Sequence, residues 1–302
     1  MKIFQSSIKS DVVEGLNKRY FAKNGVYKKL NILLSYGVSG DEDKFLAKPT
    51  GLINSIILDS GAWSLNNRKS NNGMEITLKG YELYLKIFGD MFECYFNFDE
   101  NFTPEGCLEN LRNLTKLEES GLKPIPVIHD YYEDEIDYYI DKGYDMVALG
   151  SIFNAEKRKQ ERKYDDVKLA VNNLIKKKFD IKIHVFASSS YEVLSKLPVY
   201  SSDSSNWAQN VKYGYIPYWN EGKTDNIYFE DYLDDEKPNR IYFKKYCFRK
   251  ELEEYLDKQL GMTYDDLMGN NNQLNRQIVN SLYYIEIEEK VTQEHKRQGF
   301  LY

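Results

Sequence analysis

Met146-Val147-Ala148-Leu149-Gly150 decides how the rest of this chain is read. Four apolar residues follow one another without a polar partner between them, and a glycine stops the run. A strand with one face in water alternates, whereas a strand covered on both faces does not, and continuous runs are the mark of a parallel sheet flanked by helices. Ile56-Ile57-Leu58 repeats the pattern nearer the N-terminus. Working outward from these two, eight short apolar runs recur, at 2–8, 31–38, 55–59, 94–99, 124–129, 146–150, 182–187 and 199–203.

Helical patterns lie between the later runs. Leu78, Tyr81, Leu85, Phe88 and Met91 share a helical face. Residues 104–121 open on Thr103-Pro104-Glu105, a cap followed by proline in the first turn, and stop at Gly121. Residues 132–142 end before Gly143, and 163–178 end in a lysine run that suits a helix C-terminus. Repeated strand–helix units predict an α/β protein, and eight strands predict a (β/α)₈ barrel with a C-terminal helical extension. No Gly-x-Gly-x-x-Gly loop supports an open doubly wound sheet. The barrel strands fall within 1–207. Residues 208–302 supply closing helices and an extension, with 221–240 expected as a polar loop and 244–268 and 272–297 as helices. No linker divides the chain, so one domain over 1–302 is expected.

The 302 residues are 42% hydrophobic, fitting a soluble globular protein, and no stretch is long and apolar enough for a membrane helix. The N-terminus lacks the apolar core of a signal peptide. Three scattered cysteines argue against a disulfide framework and for a reducing cytoplasm. A net charge of −6 disfavours a surface that coats nucleic acid throughout, though not a local basic patch.

In such barrels the chemistry sits at the C-terminal strand ends. Here those ends carry Asp59-Ser60-Gly61, Asp99-Glu100, His129-Asp130, Gly150-Ser151, Ser188-Ser189-Ser190 and Asp203-Ser204-Ser205. One such aspartate is commonly only a helix cap. Several in register would converge on one mouth, where clustered carboxylates are costly unless they titrate or bind a ligand.

These motifs resemble, in order, those of the tRNA-guanine transglycosylases. Asp59-Ser60-Gly61-Ala62-Trp63 is similar to that family's Asp-Ser-Gly-Gly-aromatic segment. Phe98-Asp99-Glu100 with Thr103-Pro104 is similar to its Phe-Asp-Glu-Cys-Thr-Pro, and Ala148-Leu149-Gly150-Ser151 to its Gly-Gly-Leu strand end. His184-Val185-Phe186 resembles the strand before the nucleophile, and Asp203-Ser204-Ser205-Asn206-Trp207 the nucleophile segment. The departures are specific. The Cys-x-Cys-x-x-Cys…His zinc site is absent, Ala62 replaces a glycine, and His129 or Asp130 stands where the family has a base-binding glutamine. This pattern resembles a zinc-less branch that exchanges guanine in DNA.

The resemblance implies replacement of guanine by a 7-deazaguanine-type base in DNA or tRNA, through a covalent aspartyl–sugar intermediate and without a cofactor. It gives Asp203 the nucleophile's role and Asp59 that of general base. Asp99, Ser60, Gly61, His129, Asp130, Gly150 and Ser151 would bind the base. Implied partners are nucleic acid and the free base, with a homodimer or partner subunit left open. Trp63 or Tyr131 would stack on the base or simply pack in the barrel. His129 would contact the base or be a buried histidine satisfied by a carbonyl. His184 is expected to be structural. For polymer contact the sequence offers two basic runs, 156–163 and 244–250, each also an ordinary solvated helix face. Two other functions stay open: a non-catalytic paralogue that binds nucleic acid or a partner, and a barrel hydrolase of N-glycosides.

Overall fold

In this computed structural model, which describes residues 1–37, 45, 51–62, 76–102, 106–131, 134–150, 152–154, 159–161, 164–229 and 239–302, strand pairing closes the fold on itself. The strands are β1 (Lys2–Ser6), β2 (Leu30–Ser35), β3 (Ile53–Asp59), β4 (Cys94–Tyr95), β5 (Val127–Ile128), β6 (Met146–Leu149), β9 (Lys182–Val185) and β10 (Ser201–Ser204), in one parallel sheet. β10 returns to β1, with Asp203 opposite Phe4. Between β4 and β5 the sheet continues as a bridge from Phe96 to Ile125. There Asn97 N–H donates to Ile125 O at 2.9 Å and Ile125 N–H to Tyr95 O at 2.8 Å. The result is an eight-stranded parallel barrel built from the eight apolar runs.

Inward-facing side chains fill the barrel. Phe4, Leu33, Ile57, Phe96, Val127 and Ala148, one from each of the first six barrel segments, form a separate apolar cluster. Burying each large side chain of such a layer contributes about 1.5–3 kcal/mol. Outside, helices cover the sheet with apolar stripes. In α2 (Leu78–Phe88), Thr77 caps the first turn by accepting Gly80 N–H, and Tyr81 and Leu85 face inward. In α5 (Tyr164–Lys177) the buried set is Val167, Ala170, Val171 and Leu174, spaced i, i+3, i+4, i+7. The remaining helices are α1 (Ser10–Asn24), α3 (Cys107–Glu119), α4 (Glu135–Asp141), α6 (Tyr191–Leu194), α7 (Asn206–Lys212), α8 (Arg249–Leu260) and α9 (Gln273–Gln298).

The N-terminal end of the barrel is tied shut. Glu93 accepts from Lys2 and Ser55, and from Tyr200 at 2.6 Å. Lys178 pairs with Asp145 at 2.5 Å at the same end, the helix-end role expected for that lysine run. Glu288 of α9 accepts Ile3 N–H at 2.6 Å, which docks the last helix against β1.

The C-terminal part differs from expectation in two places. Part of the expected 221–240 loop is strand: β11 (Tyr215–Asn220) and β12 (Lys223–Tyr228) form a hairpin, joined by β13 (Ile241–Tyr242). Its polar residues misled because one face of a hairpin meets solvent; Asp225 and Ile227 face in, Lys223 and Asn226 out. The expected 244–268 helix is only α8, stopped by Gly261 in the left-handed region at φ 61°. A second hairpin, β7 (Ile152–Asn154) with β8 (Lys159–Glu161), follows β6 at the mouth of the barrel. It takes up 159–161 of the 156–163 basic run, whose other residues lie outside the described ones.

Candidate functional site

Because all eight strands point the same way, their C-terminal ends share one mouth. A cavity of about 820 Å³ opens there, within the size range of small-molecule sites. Leu33, Val127 and Phe186 make its apolar floor. Its polar wall carries Asp59, Asp99, His129, Gly150 and Asp203, each at or just beyond a different strand end. Three carboxylates separated by up to 144 positions in sequence are thus neighbours of one space.

Asp203 is held as an anion. Ser6 Oγ donates to its Oδ2, and Ala187 N–H donates to Oδ1 at 2.8 Å. The Ala187 amide is aimed there by a left-handed backbone at φ 50°, a strained choice for a residue with a Cβ. His184, fully buried on β9 among Phe96 and Phe186, places Nε2 at 3.5 Å from Asp203 Oδ1. That distance is at the limit of a hydrogen bond, so the influence is mainly electrostatic. Ser201 Oγ lies 2.9 Å from His184 Nδ1. With that hydroxyl donating to Nδ1, the ring proton sits on Nε2 and points at the carboxylate. Burial works against the charge on Asp203, but His184, Ser6 and the Ala187 amide outweigh it and hold the carboxyl below its usual range.

Asp59 is the opposite case. Burial lifts its carboxyl to about 6; Ser35 and the Gly61 amide pull down, and the charges of Asp203 and Asp99 push up further. Its donors are fewer and weaker than those of Asp203: Ser35 Oγ at 2.9 Å and Gly61 N–H at 3.2 Å, both on Oδ2.

Asp99 accepts from Asn97 Nδ2 at 2.6 Å on Oδ1, while Oδ2 stands 3.2 Å from His129 Nε2. The His129 ring stacks on Phe102 at 4.8 Å. A carboxylate therefore holds this histidine, and neither expectation, base contact or a backbone carbonyl, names that partner. Glu135 of α4 accepts both the His129 and Asp130 amides, at 2.9 and 2.8 Å, and fixes the turn after β5. Gly150 is needed beside it, since a Cβ there would lie 2.5 Å from His129 Cε1.

Of the residues expected at the site, Asp59, Ser60, Asp99, His129, Gly150 and Asp203 line the cavity. Gly61 and Asp130 do not. Gly61 instead serves the turn: its φ is 76° and a Cβ would sit 2.1 Å from Tyr36 O. Asp130 sits in the turn that Glu135 pins, its amide donating to Glu135, and is absent from the lining. Ser151 and Trp63 lie outside the described residues. Tyr131 is packing, buried with its hydroxyl donating to Gly150 O at 2.5 Å. The 244–250 run contributes nothing to the lining.

Sequence reasoning missed the far wall, formed by Lys9, Ser205, Gln209, Lys212, Gln273 and Gln277. Apart from Ser205, which directly follows β10 in the Asp203 motif, none stands at a strand end in a motif, so no local signal marks them. His184, expected to be structural, stands on β9, the strand paired with the β10 strand of Asp203. His295 is engaged elsewhere, its ring nitrogens 2.6 Å from Tyr302 O and 2.8 Å from Leu194 O. Among the described residues no cluster of three or more His, Cys, Asp or Glu could hold a metal ion, and no helix is long and apolar enough to cross a membrane.

The fold and cavity define a (β/α)₈ barrel protein with a carboxylate-lined pocket at the C-terminal mouth. No protein-family model and no curated protein matches the chain. Among solved structures it is similar to the carboxyl transferase domain of Rhizobium etli pyruvate carboxylase, with 9% identity and a TM-score of 0.39 over 96% of this chain and 48% of that one. The same domain with 3-bromopyruvate gives 10% identity and 0.38 over 95% and 48%. The chain spans about half the length of these structures, and a likeness this distant carries nothing about substrate or reaction.

Proposed function

We propose that this protein is a base-exchange transglycosylase that replaces guanine in DNA or tRNA with a 7-deazaguanine-type base, working without a cofactor. The observation that carries the reading is the split between Asp203 and Asp59 in one cavity. Two carboxyls pushed apart in this way divide the labour of a covalent acid–base mechanism.

Asp203, kept ionised by His184, Ser6 and the Ala187 amide, attacks C1′ of the sugar. The bond from C1′ to the base nitrogen breaks, its electron pair leaves with guanine, and an ester joins the sugar to Asp203. Asp59, with a pKa of about 6, donates a proton to the departing base when protonated. It removes the ring N–H proton of the incoming base when ionised. That nitrogen then attacks C1′ and frees Asp203. Each proton lent is recovered, so the cycle is neutral. Asp99 and Asp59 present acceptors to the donor-rich edge of a guanine-type base, and His129 orients Asp99.

The test is exchange of radiolabelled guanine into guanine-containing DNA and tRNA. Label incorporation that stops on adding unlabelled 7-deazaguanine supports the reading. Release of base without incorporation would make the protein a hydrolase, and absence of both would make it a binding protein.

A further inference from the structure

The part of the lining that follows β1 and β10 in the chain has the opposite character to the carboxylates. Lys9, directly before α1, and Lys212, at the end of α7, both line the cavity and both are exposed. Neither ammonium is paired with a carboxylate among the described residues, whereas Lys2, Lys23, Lys28, Lys177 and Lys178 all are. Gln209 and Lys212 lie i, i+3 on α7, and Gln273 and Gln277 lie i, i+4 on α9, so each pair presents one helical face to the same space. Every carboxylate of the lining, by contrast, belongs to Asp59, Asp99 or Asp203.

The barrel order fixes how these two walls flank Asp203. β10 pairs with β1, and the lysines follow those two strands in the chain. Asp59 and Asp99 follow β3 and β4, on the other side of β1. A ligand with its sugar carbon at Asp203 and its base toward Asp59 and Asp99 turns the rest of its sugar toward Lys9 and Lys212. Cations with no carboxylate partner among the described residues call for an anion of the ligand, and the anion attached to a nucleoside sugar is phosphate.

We infer that Lys9 and Lys212 bind the phosphate on the substrate's sugar, so that the site takes a phosphorylated nucleotide unit and rejects a free nucleoside. This rests on the transglycosylase reading for what occupies Asp203. The phosphate comes either from a phosphodiester chain or from a free mononucleotide.

Titration calorimetry on the intact protein tests it without any catalysis. The probes are guanosine, guanosine 5′-monophosphate, adenosine 5′-monophosphate and a single-stranded trinucleotide with guanine at its centre. In the wild type the guanine monophosphate binds at least tenfold tighter than guanosine. In K9Q/K212Q that advantage falls below threefold while guanosine affinity is unchanged. For the trinucleotide, the slope of log Kd against log salt drops by about 1.4 when both cations are removed. Lys177→Gln, at the opposite end of the barrel, alters none of these.

Equal binding of guanosine and its monophosphate by the wild type overturns the inference, as does an advantage that survives in K9Q/K212Q or a failure of every phosphorylated probe to bind. Adenine monophosphate binding as well as the guanine one, with the same lysine dependence, keeps the phosphate wall and sinks the guanine-exchange reading. A trinucleotide that binds more weakly than the mononucleotide assigns the phosphate to a free nucleotide; tighter binding assigns it to a strand.

Discussion

Asp203 on β10 and Asp59 on β3 are the same residue type at the same end of the same barrel, yet their surroundings shift their carboxyl pKa values in opposite directions. Asp203 has Ser6, the Ala187 amide and the His184 ring around it. Asp59 has one hydroxyl and one long amide contact, with two other carboxylates acting on it. Burial raises both, and the donors around each decide the direction of the net shift. A barrel mouth thus tunes equivalent positions independently, because each strand end is flanked by different loops.

The largest effect that would break this comparison is at Asp203. Asp203→Asn keeps the shape but removes the nucleophile, and base exchange falls by about 10⁴ to 10⁶, the range seen when covalent catalysts lose their nucleophile. Trapping on a denaturing gel shows no protein–nucleic acid adduct. Near wild-type exchange by this variant would remove the assignment altogether.

At Asp59 the effect is smaller and depends on pH. For the incoming base, kcat/KM rises with pH around an apparent pKa of about 6, because its deprotonation needs the ionised form, while kcat/KM for the nucleic acid falls over the same range, because guanine release needs the protonated form. Asp59→Asn lowers exchange about 10²- to 10⁴-fold and flattens both limbs. Stability moves the other way. A carboxyl whose folded pKa is raised stabilises fully only below its unfolded pKa near 4, and that stabilisation is lost as pH climbs through about 6. Asp59→Asn therefore raises thermal stability at pH 7.5 by about 1–3 kcal/mol and not at pH 4. An unchanged melting temperature at pH 7.5 would mean that Asp59 titrates normally.

His184→Gln probes the opposite side. Without the ring, the Asp203 carboxyl rises toward its ordinary range. Activity then falls more at about pH 4, where the wild-type carboxyl is still ionised, than at pH 8, a pH dependence that loss of packing alone would not give. A loss equal at both pH values would return His184 to a purely structural role.

Gly150→Ala should have the least effect. The new Cβ pushes on His129 Cε1 and Nδ1, loosening the contact to Asp99. Base affinity weakens about tenfold, with the Asp203 chemistry intact. An equal fall in adduct formation at saturating base would show that the two halves of the site are coupled.

The sequence carried much of the barrel because continuous apolar runs are a local property. Ile56-Ile57-Leu58 and Met146-Val147-Ala148-Leu149 announce double-sided burial whatever surrounds them. It did less well after residue 215. There Tyr215–Asn220 and Lys223–Tyr228 form a hairpin with mixed polarity, which a local reading takes for a loop. Asp59, Asp99 and Asp203 were visible because strand ends can be counted along the chain.

What the sequence determined by itself was the barrel and the place of its carboxylates, since periodicity and strand-end position follow from neighbours in the chain. The tertiary structure alone decided what those carboxylates are. Ser6 lies 197 positions from Asp203, and Ala187, which offers its amide, lies on the neighbouring segment after β9, 16 positions away. Lys9, Lys212 and Gln277 reach one wall from three different helical segments. Charge state depends on burial and on donors a few ångströms away, and folding, not the order of residues, brings those donors there.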